Sequence, residues 1–333
     1  MKILVTGTAG FIGFHLARRL LAEGHEVAGI DAMVPYYDVA LKQRRHAILG
    51  ESPNFRPYVL NLADMPATEA VFAAERPEMV FHLAAQAGVR YALEHPESYV
   101  QSNVVGSFNL LELVRRYPVR HLMLASTSSA YGANTKMPFQ EQDPAVTPLT
   151  IYAATKTASE LMAHAYSHLW NQPVTAFRFF TVYGPWGRPD MAPWKFTDAI
   201  THGRTMDIYN NGNMRRDFTF VDDLVEGILR LSAAVPVQGQ PVGACDTLSP
   251  AAPFRLVNIG LGEPVQLLDF IAEIERCVGR PAVRNYMPMQ PGEVTDTFAD
   301  TTLLHALTGF RPKVRVDEGV AAFVRWYRAY HAA

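Results

Sequence analysis

Near its amino terminus the chain reads Lys2-Ile3-Leu4-Val5-Thr6-Gly7-Thr8-Ala9-Gly10-Phe11-Ile12-Gly13, a short apolar strand followed by a glycine-rich turn and the start of a helical pattern. Glycine at position 7 permits the tight turn, glycine at 10 lets the backbone approach a pyrophosphate, and glycine at 13 lets the helix pack closely against the sheet. The free N–H groups and the dipole at the helix start attract phosphate. The turn therefore predicts a dinucleotide site that includes Gly7, Gly10, Phe11, Ile12 and Gly13.

The end of the second predicted strand indicates which dinucleotide binds. Asp31 lies there, at about the spacing expected for an acid that binds the ribose hydroxyls. No arginine follows at Ala32 or Met33 to pair with a 2′-phosphate, so NAD is favoured over NADP. The alternative is a glycine-rich turn without a ligand, with Asp31 as a surface cap.

Strand and helix patterns alternate through the first half of the chain. Apolar runs at 2–6, 26–31, 55–60, 79–83, 121–126 and 174–179 are predicted to be buried parallel strands. Between them, apolar residues recur at helical spacing, as in 11–23, 98–117 and 151–171. This alternation predicts an α/β protein with a Rossmann-type, doubly wound parallel sheet.

After Tyr183 the predicted elements become shorter. Segment 184–189, Gly-Pro-Trp-Gly-Arg-Pro, is rich in residues that break regular structure. Helices are predicted at 193–202, 222–232, 267–278 and 318–330, and residues 233–254 are predicted to form a mobile surface loop. We expect residues 1–183 to form mainly an NAD-binding Rossmann domain. Residues 184–333 are expected to form mainly a smaller C-terminal α+β substrate lobe over the carboxyl edge of the sheet, with some strands and helices exchanged between the two.

The overall composition excludes several classes of protein. The 333 residues include 30 Lys or Arg and 32 Asp or Glu, and a net charge of −2 gives no electrostatic footprint for nucleic acid or an anionic membrane. Hydrophobic residues make up 49%, which excludes intrinsic disorder, and no apolar run approaches the ~20 residues of a membrane helix. Two cysteines fit neither a disulfide framework nor a zinc site, and the 11 histidines show no metal-ligand spacing. With no signal-peptide pattern after Met1, we expect a soluble, cytoplasmic enzyme without a metal.

A hydroxyl cluster and a tyrosine–lysine pair form the predicted catalytic site. The fifth strand leads into Ser126-Thr127-Ser128-Ser129, at the sheet edge where such folds bind ligands. Tyr152 and Lys156 are one helical turn apart on the same face of a predicted helix. A tyrosine is a poor base at its ordinary pKa of about 10, but a nearby Lys⁺ and a positively charged nicotinamide favour the phenolate and lower that pKa. Tyr152 can then remove the proton from a substrate hydroxyl.

The glycine turn, Thr127 and the Tyr152/Lys156 pair resemble those of the extended short-chain dehydrogenase/reductase family, and the match extends along essentially the whole chain. The resemblance implies Thr127, Tyr152 and Lys156 as catalytic residues, with Lys156 also at the nicotinamide ribose. Segment 81–91, Phe-His-Leu-Ala-Ala-Gln-Ala-Gly-Val-Arg-Tyr, is similar to the family's segment beneath the cofactor. Besides Tyr152 and Lys156, the resemblance implies cofactor contacts for Lys42, Asn61, Leu62, Leu83, Ala84, Ala85, Gln86 and Asn103.

Segments 148–156, 178–192 and 215–219, together with Tyr36-Tyr37-Asp38, resemble the UDP-glucuronate 4-epimerase subgroup of this family. The resemblance implies that bound NAD oxidises C4 of UDP-glucuronate, and that reduction from the other face gives UDP-galacturonate. Related 4,6-dehydratases carry Asp and Glu where this chain has Ser128 and Ser129, and nucleotide-glucuronate decarboxylases carry Glu at position 129. The groups that those reactions require are therefore missing here.

The same resemblance implies the substrate contacts. The uronate carboxylate is expected to be held by neutral hydrogen bonds from Thr127, Ser128, Ser129 and Thr181. The diphosphate candidates are Arg188, Lys195 and Arg216, since guanidinium groups suit phosphate geometry. Tyr209 is the candidate for the uracil ring, and Arg90 for contact with the sugar or for gating the site. Gln290 stands where UDP-galactose epimerases carry an arginine, which fits the uronate subgroup.

Three alternatives remain open at this stage. They are a UDP-galactose or UDP-N-acetylhexosamine 4-epimerase, a nucleotide-uronate decarboxylase, and an NAD-binding protein without catalytic activity. The expected partner is a UDP-sugar, with no contact to nucleic acid or membrane. By analogy with similar proteins, helices 98–117 and 151–171 predict a homodimer through a four-helix contact.

Overall fold

The computed structural model describes residues 1–289 and 294–332, and a seven-stranded parallel sheet forms its centre. In chain order the strands are β1 (Lys2–Thr6), β2 (Glu26–Asp31), β3 (Phe55–Val59), β4 (Met79–His82), β5 (His121–Ala125), β6 (Val174–Phe179), β7 (Thr181–Tyr183), β8 (Thr205–Ile208), β9 (Arg215–Phe220), β10 (Phe254–Ile259), β11 (Pro264–Gln266), β12 (Val283–Tyr286) and β13 (Asp296–Thr297). The order of the central sheet is β10-β6-β5-β4-β1-β2-β3, and all neighbours are parallel. The predicted Rossmann-type, doubly wound sheet is confirmed.

Helices cover both faces of this sheet. They are α1 (Phe11–Ala22), α2 (Val39–Gly50), α3 (Met65–Glu75), α4 (Tyr91–Glu94), α5 (Pro96–Tyr99), α6 (Gly106–Arg116), α7 (Ile151–Trp170), α8 (Ala192–His202), α9 (Val221–Ala233), α10 (Leu267–Val278), α11 (Thr302–Thr308) and α12 (Val316–Ala332). Successive side chains of a strand point to opposite faces, so Ile3 and Val5 pack in one apolar cluster and Leu4 in the other. In the described part of the chain, no helix combines the length and apolar character needed to cross a bilayer.

The helix predicted at 98–117 is not one continuous α-helix. It consists of α5, a π-helical turn at Val100–Val105, and α6. Within that turn the side chain of Asn103 bonds the backbone of Gln86 and the hydroxyl of Thr155. Such single π-helical turns are rare within α-helices, and the sequence pattern therefore predicts a continuous helix.

The sequence reading missed one strand of the central sheet. β10 comes from the second half of the chain and pairs with β6 at the sheet edge, in register from Phe254 with Val174 to Ile259 with Phe179. Helix α9, also after residue 183, packs against α1 and β6. The division at 183/184 therefore does not coincide with the edge of the central sheet, although the detailed domain assignment stays a prediction.

A smaller α+β unit follows β6. It contains a sheet of β7, β9, β11 and β13 and the pair β8–β12, with α8, α10 and α12 packed against them. Phe218 and Phe270 stack in its core with ring centroids 4.0 Å apart. This unit supplies the loop of residues 184–191 that faces the carboxyl edge of the central sheet.

The loop predicted at 233–254 lies on the surface and is anchored by several hydrogen bonds. The Asp246 carboxylate accepts hydrogen bonds from Arg255 at 2.8 Å and 3.0 Å. The loop also bonds the last turns of α7, through Ser249 to His164 and through the Ala251 carbonyl to His168. Position 164 is eight residues beyond Lys156, or ~12 Å along a helix axis, so this contact lies away from the sheet edge that binds ligands.

Candidate active site

A cavity of about 360 Å³ opens at the carboxyl edge of the central sheet. Residues at the ends of β1, β2, β4 and β5 line one side, and the segment after β6 lines the other. The predicted site residues that line the cavity are Gly7, Gly10, Phe11, Ile12, Gly13, Asp31, Lys42, Asn61, Leu62, Leu83, Ala84, Ala85, Gln86, Thr127, Ser128, Ser129, Tyr152, Lys156, Thr181 and Arg188. Folding therefore brings together most of the positions predicted separately from the sequence.

The glycine turn forms a cradle that side chains would fill. Gly7 has a φ of +82°, and its carbonyl oxygen would lie 2.9 Å from a Cβ at residue 10 and 2.1 Å from a Cβ at residue 13. Real Cβ atoms do not approach oxygen this closely, so both positions require glycine. The turn leads directly into α1, whose first N–H groups face an anionic ligand in this geometry. The residues present fit the pyrophosphate of NAD.

Asp31 and Lys42 lie beside the glycine turn. The Asp31 carboxylate accepts hydrogen bonds from the backbone N–H of Ala9 at 3.0 Å and of Met33 at 2.8 Å. The Lys42 ammonium donates to the Val34 carbonyl at 2.6 Å. Burial lowers the pKa of Lys42, while the nearby Asp31 charge acts in the opposite direction. Carboxylate, ammonium and exposed carbonyls together suit the hydroxyls of an adenosine ribose.

Asn103, a predicted cofactor contact, lies next to Gln86 in the structure, and its contact with the cofactor stays a prediction. Its side chain is buried and does not line the cavity. The side-chain Oδ1 of Asn103 accepts from the Gln86 N–H at 2.8 Å, and its side-chain Nδ2 donates to the Gln86 carbonyl and the Thr155 hydroxyl, both at 3.0 Å. The polar groups of the Asn103 side chain are therefore occupied by protein contacts. Through these bonds Asn103 positions the backbone of Gln86, which does line the cavity.

Tyr152 and Lys156 lie on the first turns of α7, which Thr150 caps by accepting from the Ala153 N–H at 3.1 Å. Both side chains are buried and line the cavity. Burial raises the pKa of Tyr152, opposed by a hydrogen bond with Thr127 and by the charge of Arg188. The protein groups alone therefore do not lower the tyrosine pKa as the sequence reading expected, and Lys156 is not among the groups that oppose burial.

Lys156 lies beside a charged network that the sequence reading missed. Burial lowers the pKa of Lys156 to about 8, and the carboxylate of Glu160 counteracts this. Glu160 accepts two hydrogen bonds from Arg178, at 2.9 Å and 2.7 Å, and one from the Ser126 hydroxyl. The i, i+4 spacing of Lys156 and Glu160 was visible in the sequence, but their burial was not.

Neutral hydroxyls line the part of the cavity that is predicted to hold the substrate. Thr127 accepts from the Ser129 N–H at 3.2 Å and caps the 3₁₀ turn Ser128–Tyr131, which places Ser128 and Ser129 on the lining. Thr181, on β7, lines the opposite side. Among the described residues on the lining, the only carboxylate is Asp31, at the ribose end.

Arg188 lines the cavity but is already paired. Its guanidinium donates two hydrogen bonds to the Asp190 carboxylate, which also accepts from the Tyr36 hydroxyl at 2.9 Å. Burial opposes the charge of Arg188, but Asp190 outweighs burial and raises the pKa of Arg188. Arg188 is therefore held in a fixed orientation with part of its charge neutralised, a feature that sequence spacing did not indicate.

Four predicted substrate residues do not line the cavity. Lys195 lies exposed on α8, and Arg216 donates to the carbonyls of Thr295 and Val294 at 2.8 Å and 2.7 Å. The Arg90 guanidinium stacks on the Tyr209 ring at 4.3 Å, and this contact joins the two parts of the chain. Gln290 lies outside the described residues. The family position of these side chains indicated their general region, but their contacts in this structure are with protein groups.

Comparison with known proteins gives concordant results. The chain matches the model of the NAD dependent epimerase/dehydratase family over residues 3–241. It is similar to a probable UDP-glucuronate 4-epimerase of Rhizobium meliloti (strain 1021), at 59% identity over 98% of this chain and 97% of that relative.

Solved structures are similar over the same extent. The UDP-glucuronic acid 4-epimerase of Bacillus cereus, in complex with UDP-glucuronic acid and NAD, has a TM-score of 0.87 and 30% identity, covering 99% of this chain and 100% of that chain. The UDP-glucose 4-epimerase of Thermotoga maritima with UDP-glucose has a TM-score of 0.86 and 28% identity, covering 99% and 100%.

Proposed function

The chain belongs to the NAD dependent epimerase/dehydratase family, and from this premise we propose that it is an isomerase that interconverts UDP-glucuronate and UDP-galacturonate. The observation that carries the proposal is the pairing of the buried Tyr152, Lys156 and Thr127 with a substrate end lined by Ser128, Ser129 and Thr181. Such a site can oxidise and re-reduce a carbinol. At that end the described lining offers no carboxylate that could act as the acid or base of a dehydration or a decarboxylation.

The cofactor site is proposed to hold NAD through three groups of residues. The glycine turn holds the pyrophosphate, Asp31 and Lys42 face the adenosine ribose, and Lys156 faces the nicotinamide ribose. When bound, NAD would supply the hydride acceptor for oxidation at C4 of the sugar and the hydride donor for reduction from the opposite face. Because the cofactor is regenerated in each cycle, no second substrate is needed.

Proton transfer is assigned to Tyr152. It removes the proton from the C4 hydroxyl as that carbon is oxidised, and it returns the proton to the C4 oxygen after the sugar has turned about its diphosphate linkage. Thr127 donates a hydrogen bond to the same oxygen. The positive charge of Arg188 stabilises the phenolate form of Tyr152, against the burial that raises its pKa.

The carboxylate of the sugar is proposed to lie among the hydroxyls. The 4-keto intermediate is a β-keto acid, and it loses CO₂ when the bond to the carboxylate aligns with the carbonyl π system. Hydrogen bonds from Ser128, Ser129 and Thr181 can hold the carboxylate near the plane of the ketone, where that alignment is poor. Arg188, fixed by Asp190, supplies positive charge near the anionic substrate without adding a proton donor of low pKa.

The deciding experiment uses the purified protein with UDP-glucuronate and no added cofactor. UDP-galacturonate as the product, identified by proton NMR, supports the proposal, because it requires retained NAD and an intact carboxylate. A pentose nucleotide identifies a decarboxylase instead, and a dehydrated sugar identifies a dehydratase.

A second candidate is a UDP-galactose or UDP-N-acetylhexosamine 4-epimerase. The neutral hydroxyls at the substrate end could also bond the hydroxymethyl group of a neutral sugar, and the similar Thermotoga maritima structure is named a UDP-glucose 4-epimerase. Parallel assays with UDP-glucose and UDP-N-acetylglucosamine separate the two candidates. A kcat/KM for a neutral sugar above that for UDP-glucuronate would favour the second.

We also propose that the protein forms a homodimer through α6 and α7. These helices expose large apolar side chains that single-chain packing leaves in solvent: Phe108, Leu161, Leu169 and Trp170. Light scattering of the purified protein should give twice the chain mass, and Leu161→Glu should reduce it to one chain. Val283→Glu, at an exposed apolar residue of β12, is the matched control and should stay dimeric. A cytoplasmic location is also proposed, since Cys245 and Cys277 are both free thiols.

A further inference from the structure

We propose that Arg45 is a buried clasp that slows release of the bound dinucleotide by joining the glycine turn to the loop of residues 184–189. The inference rests on the proposed function only in requiring an NAD site at the glycine turn. Arg45 lies on α2 and has no exposed surface. It does not line the cavity, so its action on the cofactor is that of a positioning residue.

One side of the Arg45 guanidinium holds the glycine turn. Its Nη1 donates to the carbonyl of Ala9, inside the turn, at 2.7 Å, and to the hydroxyl of Tyr37, also at 2.7 Å. The Tyr37 ring itself lines the cavity and lies under the Lys42 ammonium at 4.7 Å. Arg45 therefore fixes two parts of the cofactor cradle from behind.

The other side of the guanidinium holds the second half of the chain. Its Nη2 donates to the carbonyls of Trp186 at 2.6 Å and Gly187 at 3.2 Å. Trp186 has a φ of +61°, a left-handed conformation that residues other than glycine rarely adopt. Strained backbone persists only when surrounding contacts enforce it, and Arg45 provides two such contacts.

The bonds of Arg45 join two segments that each continue into the cavity lining. Gly10 and Phe11 line the cavity on the side of the turn, and Arg188 and Met191 line it just after Gly187. In this proposal, a dinucleotide that lies between these two segments leaves when they separate. All four bonds of Arg45 resist that separation.

The charge of Arg45 supports the same conclusion. Its four acceptors are neutral oxygens, its Nε is buried without a partner, and among the described residues no carboxylate forms an ion pair with it. The Asp31 carboxylate acts on Arg45 without a hydrogen bond to it, and burial still lowers the pKa of Arg45, because a buried cation without a paired counter-charge is unfavourable. A pyrophosphate in the adjacent turn would supply negative charge nearby, so binding of the cofactor and closure of the clasp favour each other.

The test compares the wild-type protein with Arg45→Gln, Arg45→Lys and Tyr37→Phe. Each protein is purified, its bound NAD is released by denaturation and quantified, and the release rate is measured by exchange with isotope-labelled NAD. We expect Arg45→Gln to release NAD about tenfold faster or more, because several bonds to a charged group are lost. Arg45→Lys should be intermediate, and Tyr37→Phe should give a smaller acceleration.

Arg44→Gln is the matched control. Arg44 is the preceding, exposed residue on α2 and also contacts the second half of the chain, but through the half-buried Tyr330 ring at 4.8 Å and without a bond to the glycine turn. It should release NAD at the wild-type rate. Thermal unfolding of the NAD-free proteins is measured in parallel, since a purely structural role would lower stability without changing NAD release.

Wild-type release rates in both Arg45→Lys and Tyr37→Phe would overturn the proposal, whether or not Arg45→Gln folds. Faster release with recovery of epimerase activity at saturating NAD supports both the clasp and the proposed function. Faster release in a protein whose wild type shows no epimerase activity supports the clasp while the proposed function fails.

Discussion

Gly13 packs so tightly against Gly7 that a Cβ at residue 13 would lie 2.1 Å from the carbonyl oxygen of residue 7. This contact fixes the start of α1 against the turn after β1. The helix N-terminus can then face a pyrophosphate at close range. The tightness of the contact depends on backbone atoms alone, so a side chain cannot rotate away from it.

Gly13→Ala is expected to abolish retention of NAD. The added methyl group must push α1 away from the turn, and such overpacking costs roughly 1–3 kcal/mol. Quantification of bound NAD after purification checks the result. Gly50→Ala is the control, because a Cβ at that helical position meets nothing within 4 Å. Full NAD occupancy in Gly13→Ala would show that the turn is not the pyrophosphate site.

Tyr152→Phe is expected to lower kcat by about 10²–10⁴-fold while leaving bound NAD unchanged, because the substitution removes the proton acceptor and leaves the glycine turn intact. The measurement is turnover of UDP-glucuronate together with NAD content. Tyr166→Phe is a matched control on the same helix, where the hydroxyl bonds the surface carboxylate of Glu112 at 2.6 Å. Unaltered turnover in Tyr152→Phe would remove the phenol from the mechanism.

The alkaline limb of the pH profile should follow Lys156. Since burial lowers the pKa of Lys156 to about 8, its charge is present below that pH and is lost above it, and kcat should fall accordingly. Glu160→Gln removes the negative charge that raises this pKa and leaves Arg178 without its counter-ion. The loss of the Glu160 charge and the uncompensated charge of Arg178 both lower the pKa of Lys156. The alkaline limb should therefore move to lower pH.

This prediction is checked by kcat against pH for the two proteins. Breaking the buried pair is expected to cost ~3–5 kcal/mol of stability, so the profiles are recorded well below the unfolding temperature. Glu112→Gln, which alters a surface carboxylate bonded by Arg115, should leave the profile in place. A limb that stays fixed in Glu160→Gln would assign the ionisation to another group.

Ser129→Glu should divert part of the reaction to a pentose nucleotide. A carboxyl group at that position offers the acid–base group that the cavity lining lacks at the substrate end, and it displaces the uronate carboxylate by charge repulsion. The ratio of pentose nucleotide to UDP-galacturonate, measured by chromatography, should rise about tenfold or more. Lys136→Glu places the same charge on an exposed residue of the next segment and should leave the ratio unchanged. An unchanged ratio in Ser129→Glu would contradict the role given to the neutral hydroxyls.

Much of the fold followed from local patterns. Strands β1 to β6 and helices α1 and α7 could be predicted because each depends on the spacing of apolar residues within its own segment. β10 could not, since its place beside β6 depends on a chain that returns to the sheet after more than seventy residues. The π-helical turn was also missed, because its cause lies in the bonds of Asn103 to a distant loop.

The sequence by itself determined the glycine turn and the tyrosine–lysine pair. Gly7, Gly10 and Gly13 act through their own backbone, and Tyr152 and Lys156 share a face of one helix, so neighbours along the chain suffice to define them. Only the tertiary structure decided which distant groups set their environment. Arg45 meets the Trp186 carbonyl across 141 positions, and Glu160 meets Arg178 on a strand that follows its helix. Such contacts depend on how whole helices and strands pack. The burial of these side chains, which sequence spacing does not reveal, sets their pKa values and the strength of their hydrogen bonds.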